Sequence, residues 1–147
     1  MSGRRMRMWA GGIMVAQGAA HGVVSAIAAR DQLGEWLDGV LWGTNTPSPD
    51  GGEMQQAAAY FWSGPASFAV PLLLLGSLVL WLARNDHPVP AFVGWGFGIW
   101  GVACAAIAGP ATPFTSALIP AALVVLAASR EGRGPVTPER GQQLVTR

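Results

Sequence analysis

The sequence predicts an all-α protein embedded in a membrane, a four-helix bundle with an amphipathic segment in the loop between its first two helices. Three observations predict it. Nine basic and eight acidic side chains make up only 12% of 147 residues, about half the charged share of an average soluble domain. Residues 8–29, 54–83 and 88–129 hold none of them, so every charge falls in the segments between and beyond these runs. The basic residues also alternate from one inter-run segment to the next, as they do in chains that cross a bilayer repeatedly. A soluble fold would need charges interspersed along its elements, and a disordered chain would lack such long apolar runs. A membrane β-barrel is excluded because runs such as Leu72-Leu73-Leu74-Leu75 and Leu123-Val124-Val125-Leu126 have no period of two.

Run length sets the number of crossings. A hydrocarbon core about 30 Å thick needs about 20 helical residues, so the first run spans once, over 9–29, and the second once, over 58–83. The third would form a helix about 63 Å long. Gly109-Pro110-Ala111-Thr112-Pro113 divides it, because proline removes a backbone donor and restricts the residue before it. Spans over 91–108 and 114–128 follow. A cleaved secretory signal is the rival reading of the first run, with Arg4, Arg5 and Arg7 ahead of an apolar stretch that ends in Ala26-Ile27-Ala28. Against it stand the length of that stretch and the interruptions at Gln17 and His21. Between the first two spans, Leu33, Trp36, Leu37, Val40 and Leu41 recur at helical spacing opposite Glu35 and Asp38, an amphipathic segment suited to the membrane surface or to capping the bundle. In the second span, Ser63-Gly64-Pro65 and Pro71 predict a kink, or a helix that begins afresh at Pro65 with Ser63 as its cap. Residues 1–129 form the membrane domain, and 130–147, polar and broken by glycine and proline, form a cytoplasmic tail without fixed structure.

Arginine sets the orientation, since the chain has no lysine. Arg4, Arg5, Arg7, Arg84, Arg130, Arg133, Arg140 and Arg147 fall on one side and Arg30 alone on the other, which places both termini in the cytoplasm of a multi-pass inner-membrane protein. Trp9, Trp81 and Trp95 fall near that edge, and Trp36, Trp42, Tyr60 and Trp62 near the opposite one, where amphipathic rings meet the headgroups. Trp100 is the exception, deep within the third span. Small-residue stripes at Gly18, Gly22 and Ala26, at Gly94 and Gly98, and at Gly101, Ala105 and Gly109 predict close helix approach, within one chain or between chains. Nucleic-acid binding is excluded, because arginines at membrane edges form no basic surface with interleaved aromatics.

Chemistry concentrates at one place. Gln17, His21 and Ser25 share a face of the first helix, and polar groups in hydrocarbon must be paired or hydrated. Two readings follow. The imidazole can contact a ligand or relay a proton, or it can make an interhelical hydrogen bond to Ser63, Ser67, Ser77 or a carbonyl freed by Pro65 or Pro71. No embedded carboxylate, histidine pair or serine nucleophile is present, so no catalytic residue, metal ligand or cofactor is assigned. Cys104 is alone and reads as a small packed hydrophobe. Gly96-Phe97-Gly98-Ile99-Trp100-Gly101 matches the dinucleotide fingerprint by spacing only, inside a membrane span with no preceding strand.

Trp9-Ala10-Gly11, Gly18 with His21, Phe61-Trp62, Gly76, Pro88-Val89-Pro90 with Gly94, and Gly109-Pro110 occur in an order and spacing that resembles an uncharacterised family of small bacterial four-helix membrane proteins, over about residues 8–128. Ser63-Gly64-Pro65 departs from the smoother apolar run of that pattern. The arginine-only, alanine-rich composition resembles that of proteins from high-GC actinobacteria. The resemblance implies topology and no activity. The sequence thus points to an accessory or interaction protein of the inner membrane, with a partner membrane protein or a second copy. The alternative is a small membrane enzyme or binder of a lipophilic molecule (isoprenoid, quinone or lipid) in a cavity formed by Gln17, His21, Ser25, Phe61 and Trp62.

Overall fold

A computed structural model describes residues 1–38, 52–64, 66–109 and 111–132. Every regular element among them is helical: α1 (Gly3–Ala28), a 3-10 turn (Arg30–Gln32), α2 (Leu33–Leu37), α3 (Gly52–Ser63), α4 (Ala69–Arg84), α5 (Ala91–Ala108), α6 (Pro113–Ser116) and α7 (Leu118–Glu131). Three helical stretches, Gly3–Ala28, Ala91–Ala108 and Pro113–Glu131, are long and apolar enough to cross a membrane, and Ala69–Arg84 is a shorter apolar helix.

α1 starts six residues ahead of the first span read from hydropathy. Ser2 provides the cap, its Oγ accepting from the Arg5 amide at 3.4 Å, so the arginines ride on the first turns of the helix. Positive charge there opposes the helix dipole, and acids from other elements answer it. Arg4 lies 3.3 Å from Asp86, and Arg7, almost fully buried, pairs with Glu131 at the end of α7. These contacts gather the start of α1, the α4–α5 connection and the end of α7 at one end of the molecule.

The second apolar run is two helices. Pro65 has no amide hydrogen for the Phe61 carbonyl, which takes the Ala66 N–H at 3.0 Å, while Ser67 N–H turns back to Gly64 at 3.0 Å. The chain resumes at Ala69 rather than at Pro65, with Phe68 in the cap position and Ser67 Oγ accepting from the Ala69 amide. Pro71 then falls in the first turn, where its missing donor has no intrahelical partner to lose. At the other end of α4, His87 N–H reaches the Leu82 carbonyl at 2.9 Å and Asp86 adopts φ +57°, a Schellman closure that delivers the Asp86 carboxylate to Arg4. Gly109, at φ +100°, ends α5 in a conformation open to glycine, and Pro113 begins α6 at a position suited to proline.

α1 packs along α4 on one side and α7 on the other, and α7 in turn packs along α5, whereas α4 and α5 make little contact. Met14, Leu72, Val79 and Val124 are buried where these helices converge, with Leu75, Val93 and Phe97 against them. The crossing of α1 and α4 is nearly backbone on backbone. A Cβ on Gly76 would stand 2.8 Å from Met14 Cβ and 2.8 Å from Val15 N, and one on Gly11 2.8 Å from Gly76 O. Gly11, Gly18 and Gly76 thus make the contact, while Gly22 sits at ordinary distance from Ala69. On α5, Gly94 has the same role, its Cβ position lying 2.8 Å from Ala121 O. The outward faces are apolar: Val24, Ile27, Leu74, Leu78, Phe92, Ile99, Ile107 and Leu126 are all more than half exposed.

α2 supplies the amphipathic segment. Trp36 donates its indole N–H to the Ala57 carbonyl of α3 at 3.1 Å and meets Phe61 edge-on, while Leu33 and Leu37 remain exposed. Val40, Leu41, Trp42 and most of the tail from 130 to 147 lie outside the described residues.

Candidate functional site

Gln17, His21 and Ser25 lie one turn apart along α1, on the side where α3 ends and α6 begins. Ser63 closes α3, and because Ser67 N–H bonds to Gly64, the Ser63 carbonyl is released from helical pairing. Two side chains take it: His21 Nε2 at 3.2 Å and Ser25 Oγ at 3.3 Å. A carbonyl only accepts, so Nε2 carries the hydrogen in this bond, and in the neutral ring Nδ1 is left as the acceptor. The imidazole stacks on Phe68 with centroids 4.4 Å apart. One turn nearer the N-terminus, Gln17 Nε2 donates to Ser116 Oγ at 2.7 Å, and Gln17 Oε1 is buried without a partner.

Phe68 is the hinge of an aromatic cluster. Its ring lies 5.7 Å from Trp100 and 5.7 Å from Phe114, Trp100 lies 5.5 Å from Phe114, and Phe97 stacks on Trp100 at 5.6 Å. These rings come from the α3–α4 connection, from α5 and from α6. Together with Gln17, His21 and Ser116 they line a cavity of about 310 Å³. A second hollow of about 280 Å³ shares Phe68, Leu72, Phe97 and Trp100 and continues along Pro71 and Leu75 between α4 and α5.

Of the residues singled out from sequence, Gln17 and His21 line the cavity. Ser25 stands beside His21 and is engaged with Ser63, whereas Phe61 packs against both Trp36 and Trp62, with Trp62 exposed. Neither Phe61 nor Trp62 borders the cavity. The residues that do, Phe68, Phe97, Trp100, Phe114 and Ser116, were not evident from sequence. Trp100 alone carried a signal, as a tryptophan too deep in its span to belong to a headgroup belt. Phe97 and Trp100 share a face of α5 through their three-residue spacing.

A family model described as "Family of unknown function (DUF6463)" matches residues 5–131. The chain belongs to that family. The match takes in every residue lining the cavity and bears out the resemblance to an uncharacterised family. No curated protein and no solved structure matches the chain.

Proposed function

We propose that this DUF6463 chain is a multi-pass membrane protein, folded as a four-helix bundle, that binds a lipophilic molecule with a ring-bearing head group in the cavity beside His21. The single observation that carries the reading is the composition of the cavity wall: four aromatic rings together with Gln17, His21 and Ser116. Binding sites for small molecules are concave, mostly apolar and fitted with a few polar groups that orient the ligand, and about 310 Å³ suits a head group rather than a whole lipid. In this reading α3 and α4 together make the remaining crossing. The Arg4–Asp86 and Arg7–Glu131 contacts gather arginine-rich segments at one end, which supports both termini on the cytoplasmic side of an inner membrane.

The experiment is extraction in mild detergent followed by mass spectrometry of co-purified small molecules from wild type, His21→Ala and Trp100→Ala. A lipophile present in wild type and lost from both variants is the expected result. Identical extracts from three folded proteins would refute the ligand site. They would leave an accessory or interaction role, for which the apolar groove between α5 and α7, lined by Gly94, Gly98 and Val125 among others, provides a surface for a partner or a second copy.

A further inference from the structure

We infer that the hollow between α4 and α5 is a tail site, and that the ligand is a tailed lipophile that enters sideways from the bilayer and leaves its alkyl or isoprenoid tail between these two helices. The inference rests on the reading of the cavity as a ligand site and adds the shape of the molecule and its route. Phe68, Leu72, Phe97 and Trp100 line both spaces, so the hollow begins where the head-group cavity ends. From there it runs past Leu72, which is buried, to Pro71, which stands at the surface. In a membrane-spanning bundle that surface meets hydrocarbon. The side chains lining the hollow are apolar except for the indole N–H of Trp100. Such walls suit a hydrocarbon tail and leave a polar group without partners.

The other ways out are held more firmly. Toward the end where the arginines gather, Met14, Val79 and Val124 are fully buried between the helices. On the opposite side of the cavity Ala20, Val24 and Pro113 reach the surface. There, however, α1 is tied to α6 by the hydrogen bond from Gln17 to Ser116 at 2.7 Å, and it packs along α7. α4 and α5 have no such tie. They make little contact, and among the described residues no hydrogen bond or ion pair joins them. Beside the cavity they meet through two rings, Phe68 at the head of α4 and Trp100 on α5, 5.7 Å apart. Elements with few contacts between them part at the lowest cost, and two rings can slide past each other without breaking a hydrogen bond.

The test compares 4-ethylphenol with 4-decylphenol, using the full-length protein in lipid nanodiscs. Saturable retention is measured over empty discs, and affinity is expressed as the mole fraction of probe in the disc lipid, so that partitioning into the bilayer cancels. A phenol both donates and accepts, so neither probe presupposes which hydrogen bonds the cavity makes. Wild type should bind the two within about threefold of each other, because a tail that leaves lipid for an apolar hollow exchanges one hydrocarbon surrounding for another. Leu75→Trp and Pro71→Trp each add bulk to the hollow. Either should weaken decylphenol by about tenfold or more, the scale of overpacking, and keep the wild-type affinity for ethylphenol, which also shows that the variant has folded. Val24→Trp, at the opposite mouth, should affect both probes alike. Decylphenol and ethylphenol weakened equally in Leu75→Trp and Pro71→Trp, or in neither, would overturn the tail site while leaving the cavity a binding site. A selective loss of decylphenol in Val24→Trp would do the same. Saturable retention of neither probe by wild type would overturn the inference together with the ligand reading beneath it.

Discussion

Gly76→Ala tests the packing on which the rest of the structure depends. The added methyl would lie 2.8 Å from Met14 Cβ, 2.8 Å from Val15 N and 2.9 Å from Gly11 O. Ordinary contact begins at 3.4 Å, so α1 and α4 would have to part by about 0.6 Å at their crossing. Two of the three opposing atoms are backbone and cannot rotate away. Parting the helices loosens Met14, Leu72 and Val79, all buried at this interface, and overpacking of this kind costs about 1–3 kcal/mol. Within a membrane no hydrophobic driving force compensates, because helix association there depends on close packing. Unfolding in mixed micelles of increasing SDS fraction, followed by tryptophan fluorescence, reads the loss. Gly12→Ala is the control, since nothing stands within 4 Å of that position, and it should leave stability unchanged or raise it by up to about 1 kcal/mol, the helix preference of alanine over glycine. Gly11→Ala should resemble Gly76→Ala, and the double variant should cost less than the sum, because one separation accommodates both methyls. If Gly76→Ala unfolds with the Gly12→Ala control, the backbone crossing is wrong.

Two further outcomes follow from other parts of the structure. Glu131→Gln leaves the Arg7 guanidinium buried beside a neutral partner and should destabilise by about 1–3 kcal/mol, below the full value for a buried pair because Glu131 is partly exposed; Arg7→Met with Glu131→Leu should recover most of the loss in the same SDS titration. In a Cys104→Ala background, a membrane-impermeant maleimide applied to intact cells should label Asp31→Cys and spare His87→Cys, and the reverse pattern would invert the proposed topology.

Part of this was legible in the residues alone. Long charge-free runs can form only apolar helices, and the prolines at 65, 110 and 113 mark places where the ladder of helical hydrogen bonds is interrupted, with α6 starting at the last of them, because a missing amide hydrogen is a local property of the residue. The restart of α4 at Ala69 was harder to read, since it depends on which carbonyls Ala66 and Ser67 find once Pro65 has broken the ladder. The glycine contacts were legible as a type and not as a register. Spacing favoured Gly18 with Gly22, whereas α1 meets α4 through Gly11 and Gly18, because the crossing is set by where Gly76 lies on the other helix.

The site divides in the same way. Gln17 and His21 announced themselves as polar groups in an apolar run, since a single helix already makes their burial costly. Phe61 and Trp62 were grouped with them for being aromatic and nearby in the expected topology, but the break after Ser63 leaves Phe61 between Trp36 and Trp62, and Phe68 takes the place against His21. Phe97, Trp100, Phe114 and Ser116 come from α5 and α6, about 80 to 100 residues further along the chain, and no local pattern ties them to α1. The sequence by itself determined that this chain forms apolar helices with a polar stripe on the first. Only tertiary structure decided what faces that stripe, because hydropathy is a property of each segment, whereas a cavity is a property of how several segments fail to fill the space between them.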